Sequence, residues 1–280
     1  LTQARTIQIF LPDGSPRGIK IAEITSRIVK AILIPRNRLN EAGQRDETKN
    51  VGLYFLFGQT DEDAKPRVYI GEAEDCYARL KQHNKEKDFW EHAVVITTNN
   101  NFFTKAHIKY LEWYCYDRCN DINRYKLQQT VPARTYLPES AIADLMDIFE
   151  TMKILISTLG YHLFEEARDT NKSVSSVDTF YCKAKGVEAV GQFTDEGLVV
   201  LKNSQMVLNA APSMKSYVGL RNKLISDGIV VKQDEHYLFV SDYVFNSPSA
   251  AGAVVLGRPS NGWADWKNSS GKTLDEVKRG

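Results

Sequence analysis

Two tyrosines stand beside glycines on what read as neighbouring strands: Tyr54 in Gly52-Leu53-Tyr54 and Tyr69 in Tyr69-Ile70-Gly71. Downstream come Arg79 and His83, one helical turn apart, and then Glu112 on a later helix. Together these residue types suit the hydrolysis of a phosphodiester. That reaction needs an activated water, neutralised charge on the phosphoryl oxygens and help for the leaving oxygen. A divalent metal, Mg²⁺ or Mn²⁺, supplies the first and third, and Glu112 is the expected protein ligand, with water completing the shell. Arg79 is expected on the non-bridging oxygens, because its planar fork matches them and it stays charged at any working pH. Tyr54, Tyr69 or His83 would take the proton. A phenol with an ordinary pKa near ~10 is a poor base until a cation lowers it. Taken singly, each residue has a plainer reading. Strand tyrosines usually lie in cores with a satisfied hydroxyl, and single helical charges usually face water.

The elements that would position these groups follow from pattern. Val51 to Phe57 and Val68 to Gly71 are apolar runs flanking a charged loop that ends in Pro66, as in a β-hairpin with a long connection. Glu72 to His83 has helical spacing, which puts Arg79 and His83 on one face. Ala93 to Thr98 reads as a strand. Thr104 reads as the N-cap of a helix from Lys105 to about Arg118, with Glu112 at the edge of its apolar stripe. Residues 121–137 read as irregular, and Pro138 opens a helix to about Leu159 with Gly160 behind it.

Composition sets outer bounds. The chain has 280 residues, 42% hydrophobic and 25% charged, with a formal net charge of +1. These are the values of an ordinary globular chain of two domains. Residues 1–45 are basic and residues 138–170 acidic, and a basic arm can meet phosphates without moving the overall balance. No apolar run approaches membrane-spanning length, so no membrane partner is expected. The four cysteines (Cys76, Cys115, Cys119, Cys182) include no C-x-x-C pair. They are expected to be buried thiols of a cytoplasmic protein, although Cys115 and Cys119 share a helix face that a metal would accept given further ligands. No signal for oligomeric state is present.

The set Gly52-Leu53-Tyr54, Tyr69-Ile70-Gly71, Arg79, His83 and Glu112 resembles the GIY-YIG nuclease family over roughly residues 50–130. The resemblance implies an α+β fold, with a three-stranded antiparallel sheet flanked by helices, and a metal-dependent endonuclease acting on nucleic acid, with DNA foremost. It also implies that Gly71, Lys81, Lys105 and Lys109 contact the nucleic acid. The family places an Asn after the Glu-bearing helix; here Gln128-Gln129 stand there, and Gln129 keeps the amide at longer reach. A nucleic-acid-binding protein with weakened or lost cleavage, or an RNA-directed nuclease, is the alternative. The stretch around Lys81-Gln-His and Lys105-Ala-His107 is similar to a bacterial subfamily with a basic N-terminal segment and a C-terminal domain of unknown function, DUF4357. Ser247-Pro-Ser-Ala-Ala, Asn261-Gly-Trp263, Trp266 and Gly271-Lys-Thr-Leu are similar to that domain. The implied order is a basic hairpin segment (1–45), the nuclease-like domain (46–166), a linker (167–177) and a small α+β accessory domain (178–280). In the last, Trp263 and Trp266 are either core residues or a surface for stacking on a base.

Overall fold

The computed structural model describes residues 4–59, 65–165, 179–184, 186–214 and 216–280. They form two compact units, one ending at Glu165 and the other starting at Thr179. The expected linker, 167–177, lies outside the described residues.

The first unit opens with a meander of β1 (Ile7–Phe10), β2 (Lys20–Ile24) and β3 (Val29–Pro35), then a short helix α1 (Leu39–Ala42). The hairpin strands are β4 (Gly52–Gly58) and β5 (Arg67–Ala73). Then come α2 (Cys76–Glu86), β6 (His92–Thr98), α3 (Lys105–Ile122), β7 (Lys126–Leu127) and α4 (Glu139–Thr158). All seven strands join one sheet in the order β1-β2-β3-β6-β4-β5-β7.

The α+β class therefore holds, while the expected three-stranded sheet is replaced by a larger one. Strands β6, β4 and β5 pair antiparallel at its centre. Because β6 is buried on both faces, its second edge cannot be left to water, and β3 pairs with it along all seven residues. The basic segment thus enters the same sheet through β3 and does not stand apart. At the far side β7 adds to β5 in parallel.

Burial on both faces explains the unbroken apolar run of β4, in which every residue is buried. Leu53, Phe55 and Phe57 belong to the core shared with α3 and α4. Tyr54 and Leu56 belong to the core on the opposite face, with Leu80 and Cys76 of α2. One expected boundary moves. Helix α2 starts at Cys76, not Glu72, because β5 continues pairing with β4 up to Ala73 opposite Gly52. Asp75 then caps the helix by accepting the Ala78 N–H at 2.9 Å. Helix α3 starts where expected, with Thr104 and His107 capping each other, and runs a turn further, to Asn123 in left-handed conformation.

The connection from α2 to β6 is fixed by one side chain. Arg36, just past β3, donates to Asn84 Oδ1 at 2.8 Å and to the carbonyls of Asn84 (3.0 Å), Asp88 (3.0 Å) and Trp90 (3.2 Å). Its guanidinium also lies 4.9 Å from the centre of the buried Trp90 ring.

The second unit contains β8 (Thr179–Ala184), β9 (Val187–Thr194), β10 (Gly197–Val200), β11 (Gln205–Val207) and α5 (Val218–Ser226). It continues with β12 (Val230–Lys232), β13 (His236–Phe239), β14 (Tyr243–Phe245), α6 (Pro248–Leu256), α7 (Gly262–Asp265), β15 (Lys267–Asn268) and α8 (Leu274–Lys278). A five-stranded sheet, β14-β10-β9-β8-β15, and a three-stranded one, β11-β13-β12, share a core. At the centre is α6, apolar all round and almost wholly buried, with Ser247 capping its start. Trp266 is fully buried beside it and donates its indole N–H to the Pro248 carbonyl at 3.2 Å. The backbone of Pro248 passes so close to Gly262 that a Cβ there would lie 2.0 Å from it. Trp266 is thus a core residue and offers no stacking surface. Trp263 packs on Phe193 and is covered by the Arg279 guanidinium at 3.4 Å. All four cysteines are free and buried, and Cys115 and Cys119 sit in the core, not in a ligand cluster. Among the described residues, no helix is long and apolar enough to cross a membrane.

Replacing Arg36 by Ala strips four hydrogen bonds from the last turn of α2 and the loop after it. Urea denaturation is expected to show a loss of about 1–3 kcal/mol. Hydrogen exchange is expected to accelerate first in the amides of residues 84–90.

Candidate active site

The hairpin register builds one wall of the site. Tyr54 on β4 lies opposite Gly71 on β5, and Leu56 lies opposite Tyr69. Tyr54 and Tyr69 are therefore diagonal neighbours on one face, with their rings stacked at 6.2 Å. Gly71 is required by close approach: a Cβ there would fall 2.2 Å from the Tyr54 hydroxyl. Space vacated on β5 is thus filled by the Tyr54 phenol, which lies over it and reaches α2.

Helix α2 meets that phenol with both residues of its inner face. His83 Nε2 is 2.9 Å from Tyr54 Oη, and Arg79 donates its Nε–H to the same oxygen at 3.4 Å. Gln82 accepts from an Arg79 Nη. Tyr69, only half-buried, is edge-on to His83 at 5.0 Å and lies near enough to Arg79 to help hold its charge. Lys87, just past the helix, places its ammonium 4.4 Å from the centre of the Tyr69 ring.

Burial raises the Tyr54 pKa, the nearby Tyr69 adds to this, and the Arg79 hydrogen bond and charge oppose it. Burial also drives the His83 pKa down to about 4, helped by the charges of Arg79 and Lys87, with Glu86 acting in the opposite sense. His83 is therefore neutral at physiological pH. The Glu86 carboxylate is 3.8 Å from Nδ1, which favours the proton on that nitrogen and leaves Nε2 to accept from the Tyr54 O–H. With that tautomer Tyr54 keeps its proton, donating a hydrogen bond to His83 and accepting one from Arg79.

The second wall is the outer edge of β5. Gln128 N–H bonds the Val68 carbonyl at 2.9 Å as β7 ends. The Gln129 side chain then continues the ladder, accepting the Ile70 N–H at 3.2 Å and donating to the Ile70 carbonyl at 2.7 Å. Two residues on, the Glu72 N–H faces the same way, toward the Glu112 carboxylate of α3. Glu112 has its pKa pushed up to about 7, first by burial and then by the neighbouring Glu72 charge; Lys105, the Glu72 N–H and Lys109 pull it back. Glu72 is itself paired with Lys105 at 2.7 Å. The charge of Glu112 also raises the Tyr54 pKa, as the weakest of the influences on it.

Tyr54, Tyr69, Arg79 and His83 thus form one connected cluster, while Glu112 stands on α3, which packs on the other face of the sheet, and acts on Tyr54 through its charge. Gln129 is placed differently: its amide is spent on the Ile70 backbone, where it holds β5 in line. Lys105 is tied to Glu72. Lys109 is exposed near Glu112, and Lys81 is exposed with its ammonium 5.7 Å from the Tyr77 ring centre. Two contributors escaped the sequence reading. Glu72 had a signal: strand alternation carried through to Ala73 puts Tyr69, Gly71 and Ala73 on one face and Ile70 and Glu72 on the other. Lys87 had none, because its position depends on how the loop beyond α2 folds back.

Comparison with known proteins adds one finding. Residues 180–278, within the second unit, match the family described as a domain of unknown function, DUF4357. No curated protein and no solved structure matches the chain.

Gly71→Ala is expected to displace the Tyr54 phenol and cost about 1–3 kcal/mol of stability by chemical denaturation. His83 gives a pH signature. Its pKa falls from 6.5 to about 4 on folding, so between these values the unfolded chain binds the proton and the folded chain does not. Stability is therefore expected to fall as pH drops from 6.5 toward 4, by up to ~3 kcal/mol. Urea midpoints measured across that window should lose most of this slope in His83→Gln.

Proposed function

We propose that the first unit is a divalent-metal-dependent phosphodiesterase that cleaves nucleic acid, with DNA as the expected substrate. The observation that carries this reading is the Tyr54 oxygen, which touches Arg79 and His83 and feels the charge of Glu112. A guanidinium, two phenols, an imidazole and a carboxylate pair at one strand edge match the needs of phosphodiester hydrolysis.

The donor set at the edge fits Mg²⁺ or Mn²⁺. Glu112 and Glu72 offer hard carboxylate oxygens, and burial first and the Glu72 charge second raise the Glu112 pKa, which a bound cation would offset. Glu112 would hold the ion, with water filling the remaining positions. When bound, the ion supplies charge neutralisation at the phosphoryl group and a more acidic water.

The chain's own residues take the other tasks. Arg79 keeps its Nε on Tyr54 and turns its outer nitrogens toward a phosphoryl oxygen. Tyr69 is the phenol that solvent reaches, with the Lys87 ammonium 4.4 Å from its ring centre, so it is assigned the base role. Tyr54 is buried, and with His83 it fixes the Arg79 side chain in place. Gln129 keeps β5 straight where Glu72 and Glu112 meet.

Purified protein incubated with duplex DNA, single-stranded DNA and RNA in Mg²⁺, Mn²⁺ or EDTA tests the reading. Cleavage is expected only with metal. Glu112→Ala and Arg79→Ala are expected to abolish it, and Tyr69→Phe to slow it by ~10²–10⁴. Undiminished cleavage in EDTA or by Glu112→Ala overturns the mechanism. Salt-dependent binding with no cleavage of any substrate would instead favour a binding protein.

A further inference from the structure

The second unit carries a surface that the hydrolytic site does not use. On β8 the side chains alternate: Phe180 and Cys182 are fully buried in the core, while Tyr181 and Lys183 face outward. The edge strand β15 pairs with β8 so that Lys267 lies directly opposite Tyr181. Residues opposite each other in a ladder point to the same side. Tyr181 is thus flanked by two lysines, one along its strand and one across it. The Lys183 ammonium is 5.5 Å from the Tyr181 ring centre and 3.0 Å from Glu188. Lys267 makes no ion pair among the described residues.

These three side chains, with Asp265, Asn268 and Ser269, line an open cavity of about 680 Å³. That volume lies in the range of small-ligand sites. The acid in the lining is already committed: Asp265 takes a hydrogen bond from Ser260 at 2.6 Å and an ion pair from Arg258 at 3.4 Å. Asn268, opposite Phe180 in the ladder, is spent on the turn that follows: its Oδ1 accepts the backbone N–H groups of Ser270 (3.1 Å) and Lys272 (3.0 Å).

We propose that this sheet face binds single-stranded nucleic acid, with one base on the Tyr181 ring and Lys267 and Lys183 on the flanking phosphates. An aromatic ring on an open sheet face between cations gives stacking on one side and phosphate neutralisation on the other. The chemistry is shared by DNA and RNA strands. It assigns the second unit the task of holding a strand, independently of whether the first unit cleaves it. The aromatic residue concerned is Tyr181 and not the tryptophans of the sequence signature, which are used within the fold.

The test uses the full chain carrying Glu112→Ala, in EDTA, so that binding is read without cleavage. Fluorescently labelled oligo(dT), oligo(U) and a duplex are titrated in a salt series and followed by anisotropy. Tyr181→Ala is expected to weaken binding of at least one single strand by about tenfold or more. Tyr181→Phe, which keeps the ring, is expected to bind as the parent does. Lys267→Gln is expected to lower the slope of log affinity against log salt by about 0.7. The two oligonucleotide arms show which strand is preferred. Parental affinity in Tyr181→Ala, an unchanged slope in Lys267→Gln, or equal losses in Tyr181→Ala and Tyr181→Phe would each overturn the proposal. So would a duplex preference that survives Tyr181→Ala. Each variant is checked by thermal melting, and the half-exposed position of Tyr181 predicts melts close to the parent.

Discussion

The pairing of Tyr54 with Gly71 across the β4–β5 ladder is the constraint on which the first unit's site depends. A phenol can lie flat over a neighbouring strand only where that strand carries no side chain. The missing Cβ at Gly71 leaves that room, and the phenol uses it to reach α2. A slip of one residue in this register would turn Tyr54 into the opposite core and leave Arg79 and His83 without their shared partner. The capped start of α2, the burial of Leu80 and the clamp of Arg36 on the following loop keep α2 at the distance this contact requires.

The edge of β5 is the second organising feature. A strand edge normally presents unpaired N–H and carbonyl groups, and here each outward residue in turn is given a different partner. Val68 receives the backbone of Gln128 and Ile70 the amide of Gln129, and beyond them Glu72 stands near the Glu112 carboxylate of α3. Glu112 is part-buried and close to a second carboxylate, so burial first and the Glu72 charge second raise its proton affinity.

The second unit is organised by a different rule. Its apolar helix α6 and Trp266 form the inside, and Arg221, also buried, donates to the Val254 carbonyl at 2.8 Å and the Leu208 carbonyl at 3.0 Å. The prominent aromatic and small residues of its sequence signature are spent on this packing. What faces outward on β8 is a less conspicuous tyrosine between lysines. Aromatic residues in a signature therefore cannot be assigned to binding until the core has taken its share.

How much was legible in the sequence can be argued from particular residues. The runs 51–57 and 68–71, the strand at 93–98, the Thr104 cap and the helix after Pro138 were all readable, because periodicity and capping act over a few residues. The set Tyr54, Tyr69, Arg79, His83 and Glu112 was also readable as a group of candidates, of which the first four meet in one cluster. Three things were not. The three-stranded expectation failed because nothing local says that β3 will pair with β6, sixty residues away in the chain. Gln129 read as a site amide because sequence gives its type but not its partner, which is the Ile70 backbone. Glu72 and Lys87 entered the site through strand length and loop path. The sequence by itself determined residue types, local periods and the caps. Only the tertiary structure decided which face each group shares and which polar groups are spent on holding the fold. Those decisions depend on non-local pairing and close packing, which no short window of sequence contains.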